Sequence, residues 1–187
     1  MAISQNMHLD IEEVLISESD LQARIRELAE AVERDYAGKE LVLVGILKGA
    51  IMFMVDIARA MNIPVDIDFM AISSYGSSTE SSGVVRILKD LDSPITGKHV
   101  LVIEDIIDTG LTIQYLMEHL QRRNPASLAI CTLLEKEKPS SAHAGLNPAY
   151  VGFHVPDRFV VGFGLDYAQK YRNLPYIGVL RPSVYSE

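Results

Sequence analysis

Cysteine is almost missing from this sequence. Cys131 is the single one among 187 residues, so no intramolecular disulfide can form and a reducing compartment is expected. It sits in the apolar run 128–134 with no histidine beside it, and reads as a small core residue rather than a nucleophile. Long apolar runs are missing too. The most apolar region, 41–61, is interrupted by Lys48, Asp56 and Arg59. Nothing approaches the roughly 20 apolar residues that cross a bilayer. No basic segment leads into an apolar run at the start, so no secretory signal is expected. Positive charge is the minority: the net charge is −8 at pH 7, which argues against nucleic acid as the main partner. The five histidines (His8, His99, His119, His143, His154) show no metal-ligand spacing, which argues against structural zinc. A soluble cytoplasmic protein is expected, with neither membrane nor nucleic acid as partner.

Two nucleotide-binding signatures are absent as well. No G-x-G-x-x-G follows the first strand, and Gly45-Ile46-Leu47-Lys48-Gly49 lacks the order of a Walker loop. There is no internal repeat. What remains is ordinary globular composition, 48% hydrophobic with 22% charged, at a length that suits one domain with a real core.

Strand and helix patterns alternate along the chain. Residues 11–16 read as a short strand. Ser19 is expected to open a helix with Gln22 completing a capping box. Leu21, Ile25, Leu28, Ala29 and Val32 form its buried stripe, and Gly38 ends it. Strand 41–47, helix 50–61 and strand 65–72 follow, the last with Asp66 and Asp68 on one face. Those two acids read as an exposed or interface face without function. The polar stretch 73–83 is too rich in serine and glycine to pack, and its place inside a regular α/β pattern points to a lid over a site. Strand 84–88 and the turn Thr96-Gly97-Lys98 lead to a strand over 100–104. After a helix carrying Ile113, Leu116, Met117 and Leu120 on one stripe comes strand 127–134. The charged loop after it, 135–139, leaves the carboxyl end of a parallel strand, where open α/β sheets bind ligands, so Lys136 or Lys138 becomes a candidate contact. Aromatic strands at 150–153 and 159–167 lack intervening helices. They are expected to form a small hood with the N-terminal strand. The expected fold is α/β: a mostly parallel central sheet flanked by helices, one domain over 1–187, core about 38–146, hood about 1–18 and 147–187.

The chemistry concentrates at His99-Val100-Leu101-Val102-Ile103-Glu104-Asp105-Ile106-Ile107-Asp108-Thr109-Gly110-Leu111-Thr112. A buried strand ends in two acids, then a third acid, a tight turn and a helix N-terminus. Free N–H groups and the helix dipole there make an anion site, to which Thr109 and Thr112 add hydroxyls. Carboxylates repel phosphate, so a fitting ligand carries phosphate at one end and hydroxyls or a metal at the other. Glu104 and Asp105 would then accept from a ribose diol or approach a cation. The bland alternative is a solvated strand end with Asp108 as a helix cap; two adjacent acids ending a buried strand before Asp-Thr-Gly-x-Thr count against it.

The run VLVIEDIIDTGLT resembles the phosphoribosyl pyrophosphate (PRPP) motif of type I phosphoribosyltransferases, and in detail that of bacterial hypoxanthine-guanine phosphoribosyltransferases. The resemblance extends from about residue 41 to about 181. Leu47-Lys48-Gly49 matches the family's pyrophosphate loop, where a non-proline cis peptide precedes the lysine. Ser74-Tyr75-Gly76 matches its closing loop, and Lys136 the lysine that bonds the 6-oxo group of the purine. Phe159-Val160 matches the pair that stacks on the base and offers backbone contacts. Asp166 matches a magnesium-associated acid bordering the purine, and Arg172 an arginine on pyrophosphate.

The resemblance implies purine salvage: transfer of the 5-phosphoribosyl group from PRPP to hypoxanthine and/or guanine, giving IMP or GMP and pyrophosphate. It implies Mg²⁺ as cofactor near Glu104, Asp105 and Asp166, and Asp108 as the group that takes the purine's proton or stabilises its changing charge. Thr109, Gly110, Leu111 and Thr112 would hold the 5′-phosphate. Family members are commonly dimers or tetramers, so a homodimer or homotetramer is implied. Three other readings stand beside this one. They are a transferase for another base such as xanthine, adenine or a pyrimidine, a regulatory protein that keeps the fold and binds RNA or DNA, and a non-catalytic phosphosugar binder. A panel of free bases, nucleic-acid retention at moderate salt, and magnesium-dependent pyrophosphate release separate them.

Overall fold

Apolar runs without polar alternation make strands that must be covered on both faces. In the computed structural model, which describes residues 6–74, 85–137 and 146–185, those runs alternate with amphipathic helices. A 3-10 turn, Met7–Asp10, leads into β1 (Ile11–Ile16), α1 (Glu18–Tyr36), β2 (Leu41–Leu47), α2 (Ile51–Ala60), β3 (Asp66–Ser74) and β4 (Val85–Lys89). Then come β5 (His99–Ile107), α3 (Leu111–Gln121), β6 (Ser127–Lys136), β7 (Tyr150–Val155), β8 (Val160–Val161), β9 (Ile177–Leu180) and α4 (Pro182–Tyr185). A six-stranded sheet has the order β4-β3-β2-β5-β6-β7, parallel throughout except where β4 adds antiparallel to β3.

The period of two along each central strand divides the core. Leu41, Leu43, Leu101, Ile103, Cys131 and Leu133 pack with Leu21, Ile25, Leu28, Phe53, Met54 and Ile57 of α1 and α2. Val42, Val44, Ile46, Val100, Val102 and Ile130 pack on the other face with Ile113, Leu116 and Leu120 of α3. Cys131 is fully buried, and burial pushes its thiol far up, consistent with a core role. A second, antiparallel sheet of order β1-β9-β8 is the hood, with its own small core of Ile11, Val161, Tyr171, Leu174 and Leu180. No helix among the described residues is long and apolar enough to cross a membrane.

Four local expectations are corrected. The cap of α1 is Ser17, not Ser19: its Oγ accepts the Asp20 N–H at 3.2 Å, while Gln22 reaches across to Asp56 Oδ2 at 2.6 Å. The motif strand does not stop at residue 104, because pairing with β6 continues through Ile106↔Leu134 and Ile107↔Glu135. Residues 150–155 belong to the main sheet, not to the hood, since β7 pairs in parallel with β6. Asp68 is buried rather than exposed. It accepts the N–H groups of Phe69, Asp92 and Ser93 at 2.7, 2.9 and 3.3 Å and so fixes the turn after β4, with Lys89 Nζ at 3.6 Å.

Candidate active site

β5 delivers its acids to the carboxyl edge of the sheet, beside the end of β2. The chain then turns at Gly110, whose φ of 77° is one a side chain would strain, and enters α3. The N-cap is Gly110, which has no side chain to cap with, so Asp108 is not the N-cap, and the first turn of the helix opens on the site. Gly49, Glu104, Asp105, Asp108, Thr109, Gly110 and Thr112 line one cleft of about 260 Å³. Leu111 does not line it: the residue is 55% exposed, and only its backbone can serve the turn.

The floor of the cleft is close-packed. The Leu47–Lys48 peptide is cis, as the resemblance implied. A Cβ on Gly49 would lie 1.6 Å from Asp105 Oδ2, so glycine alone lets the carboxylate sit against this loop. Glu104 Oε2 is buried with no hydrogen-bond partner among the described residues. Burial, together with the Asp105 charge beside it, holds the Glu104 carboxyl well above the usual range. Burial also pushes Asp105 up to about 6, against the pull of the Ile106 N–H and of Arg172, with Asp166 adding to the rise. Two carboxylates that resist ionisation side by side are poor anion hosts but good hosts for hydroxyls or a cation.

The hood meets the loop at the edge of the cleft. A Cβ on Gly164 would fall 2.0 Å from Gly49 O, so the two loops touch backbone to backbone. Arg172 Nη1 donates to Gly164 O at 2.6 Å, and Nη2 pairs with Asp166 Oδ1 at 2.8 Å. Asp166 Oδ2 accepts the Gln169 N–H at 2.8 Å, and Lys48 Nζ donates to Gln169 Oε1 at 3.1 Å. Lys48, Asp166 and Arg172 therefore form one linked group. Asp166 is engaged there, and among the described residues no group of three His, Cys, Asp or Glu side chains is arranged to hold a metal. Magnesium does not need such a cage, because it keeps several waters and takes one or two carboxylates plus substrate phosphates. The orphaned oxygen of Glu104 beside Asp105 fits that requirement.

Lys136, at the end of β6, reaches the same region, with Nζ 3.5 Å from Asp108 Oδ2 and 2.9 Å from Asp157 Oδ1. Phe159 is 40% exposed. It stacks on Tyr185 with centroids 5.0 Å apart and meets the edge of Tyr167 at 5.7 Å. Val160 is buried and pairs with Val179. Tyr75 and Lys138 lie outside the described residues, and of Ser74 only the backbone, at the end of β3, is described. Gly164, Gln169, Asp157 and Tyr185 were not singled out from sequence. The Val161-Gly162-Phe163-Gly164 run was the one available signal, as alternating glycines mark close backbone approach.

A sequence model of the phosphoribosyl transferase domain matches residues 17–168. The hypoxanthine-guanine phosphoribosyltransferase of Mycobacterium tuberculosis is 53% identical over 182 residues, covering 94% of this chain and 89% of that protein. That of Bacillus subtilis is 51% identical over 179 residues, covering 96% and 98%. Among solved structures, a hypoxanthine phosphoribosyltransferase from Staphylococcus aureus superposes with a TM-score of 0.92 at 51% identity, covering 98% of this chain and 100% of that one. The strand-end acids, the helix start entered through Gly110 and the glycine-lined loop thus sit in a chain that belongs to the phosphoribosyl transferase family, among the hypoxanthine-guanine phosphoribosyltransferases.

Proposed function

We propose that this chain is a purine-salvage transferase of the cytoplasm. It moves the 5-phosphoribosyl group of PRPP to hypoxanthine or guanine, giving IMP or GMP and pyrophosphate, with Mg²⁺. One observation carries the reading: two opposite chemical demands meet at one strand end. The N-terminus of α3, entered through Gly110, favours a phosphate, while the buried Glu104–Asp105 pair favours hydroxyls or a cation. PRPP presents both within one sugar.

The 5′-phosphate then lies on the backbone N–H groups of residues 109–112 and on the hydroxyls of Thr109 and Thr112. Glu104 and Asp105 accept from the ribose hydroxyls or would hold Mg²⁺, with Asp166 as the further acid that the family resemblance assigns to it. When bound there, Mg²⁺ would supply the positive charge that makes pyrophosphate a better leaving group. The loop at Lys48 and Gly49 and the Arg172 guanidinium receive the departing pyrophosphate. The C1′–O bond breaks toward pyrophosphate through an oxocarbenium-like state, and a purine ring nitrogen forms the new C1′–N bond. The proton displaced from the imidazole ring passes to Asp108.

Lys136 sets the base. An ammonium only donates, so it pairs with a 6-oxo oxygen and finds no acceptor in the amino group of adenine. Phe159 stacks on the ring, and the backbone near Val160 and Asp166 reads its far edge. Closure of Ser74 and Tyr75 keeps water from PRPP. We read the chain as one transferase domain acting as a homodimer or homotetramer. The exposed Ile51, Met52 and Val55 of α2 offer it an apolar contact, which light scattering would test.

Incubation with PRPP and Mg²⁺ and each of hypoxanthine, guanine, xanthine and adenine tests the reading. Fast conversion of hypoxanthine or guanine with adenine inert supports it. Conversion of xanthine alone would reassign the substrate, and no conversion by a folded, PRPP-binding protein would favour a regulatory role.

A further inference from the structure

We propose that Asp157 is a positioning residue for Lys136, a proposal that rests on the purine role given to Lys136 above. The Lys136 side chain is 14% exposed, and its ammonium lies between two carboxylates at unequal distances, 2.9 Å to Asp157 and 3.5 Å to Asp108. The longer distance is at the outer limit of a hydrogen bond. An ammonium has three donors, so with Asp157 holding one firmly and Asp108 touching a second, a third is left for an incoming carbonyl oxygen.

The backbone explains the placement. Lys136 stands opposite Val155 in the β6–β7 register, and the Glu137 N–H donates to Val155 O at 2.8 Å. Asp157 is two residues further on, so the turn after β7 brings it alongside the lysine. The same turn is fastened to the hood on its far side. Arg158 Nη1 donates to Glu13 Oε2 at 2.6 Å, and the Leu180 N–H donates to Phe159 O at 3.0 Å. Three successive residues thus face three tasks: Asp157 the lysine, Arg158 the hood, Phe159 the base. Asp157 draws the ammonium away from Asp108. Without it the ammonium settles on Asp108, removing a donor from the purine and making Asp108 a weaker proton acceptor.

The test is a double-mutant cycle of Asp157→Asn and Lys136→Ala. In the wild-type background Asp157→Asn should raise KM for hypoxanthine by about tenfold and leave KM for PRPP within about twofold. In the Lys136→Ala background it should change neither, and Asp157→Glu should restore part of the loss. An equal rise in purine KM without Lys136, or an equal rise in PRPP KM, would overturn the proposal. If the wild-type chain converted no base at all, the functional reading would fall instead. The placement would then be read from the ammonium NMR signal of Lys136, which should shift in Asp157→Asn; an unmoved signal would overturn it.

Discussion

β3 and β5 both carry a pair of acids, and the two pairs are treated differently. Asp68 of β3 accepts three backbone N–H groups and lies near Lys89, and Asp66 pairs with Lys98 at 2.9 Å. Glu104 of β5 has a buried oxygen with no partner among the described residues, and Asp105 is pushed up to about 6 chiefly by burial. The first pair stabilises a turn and a strand start. The second costs the apo protein stability, because buried carboxylates without enough donors disfavour the folded state. Acids that fold a protein are matched within it; acids that serve a ligand are left for the ligand to match.

The sharpest contrast comes from the turn after β5. Asp108→Asn should lower kcat by about 10²- to 10⁴-fold while leaving PRPP affinity nearly unchanged, the usual range for losing a general base. Calorimetry beside steady-state kinetics checks it, and equal losses in both would remove the assigned role. Gly49→Ala comes next. Its Cβ would overlap the Asp105 carboxylate, so activity should collapse and stability fall by about 1–3 kcal/mol in urea unfolding. Asp68→Ala should behave in the opposite sense to a site mutation. It leaves the N–H groups of Asp92 and Ser93 short of an acceptor, costing about 1–3 kcal/mol, with kcat retained.

The smallest effect is one of pH. The folded state raises Asp105 from 3.8 to about 6, so it binds the proton more tightly than the unfolded chain does. The stability linked to that proton is fully present below pH 3.8 and is lost as pH rises through about 6. Across this window the apo wild type should lose stability relative to Asp105→Asn. Thermal melts of both proteins at matched pH values check the sign; a parallel course would contradict it.

How much of this the sequence reveals depends on how local the cause is. The strand, the acids and the turn from His99 to Thr112 are contiguous, and their types alone suggest a phosphate beside hydroxyls. The period-two pattern of β2, β5 and β6 likewise announces a sheet covered on both faces. The role of Asp68 is not legible locally because its donors, the Asp92 and Ser93 N–H groups, come from a turn more than twenty residues later. The place of β7 is not legible either, because nothing in Tyr150-Val151-Gly152-Phe153 says which sheet edge is open. That edge is set by β6, and Arg24 of α1 then fastens it by donating to the carbonyls of Val151 and Gly152, both at 2.9 Å. Gly164 and Asp157 were missed for the same reason. Each matters through a neighbour distant in sequence, Gly49 in one case and Lys136 in the other.

The most direct measurement is thermal unfolding of Glu104→Gln and wild type, each alone and with Mg²⁺ and PRPP. The account predicts that apo Glu104→Gln melts at or above the wild-type temperature and that ligand raises only the wild-type value substantially. A lower apo melting temperature with the ligand shift intact would mean that Glu104 holds the fold rather than the substrate.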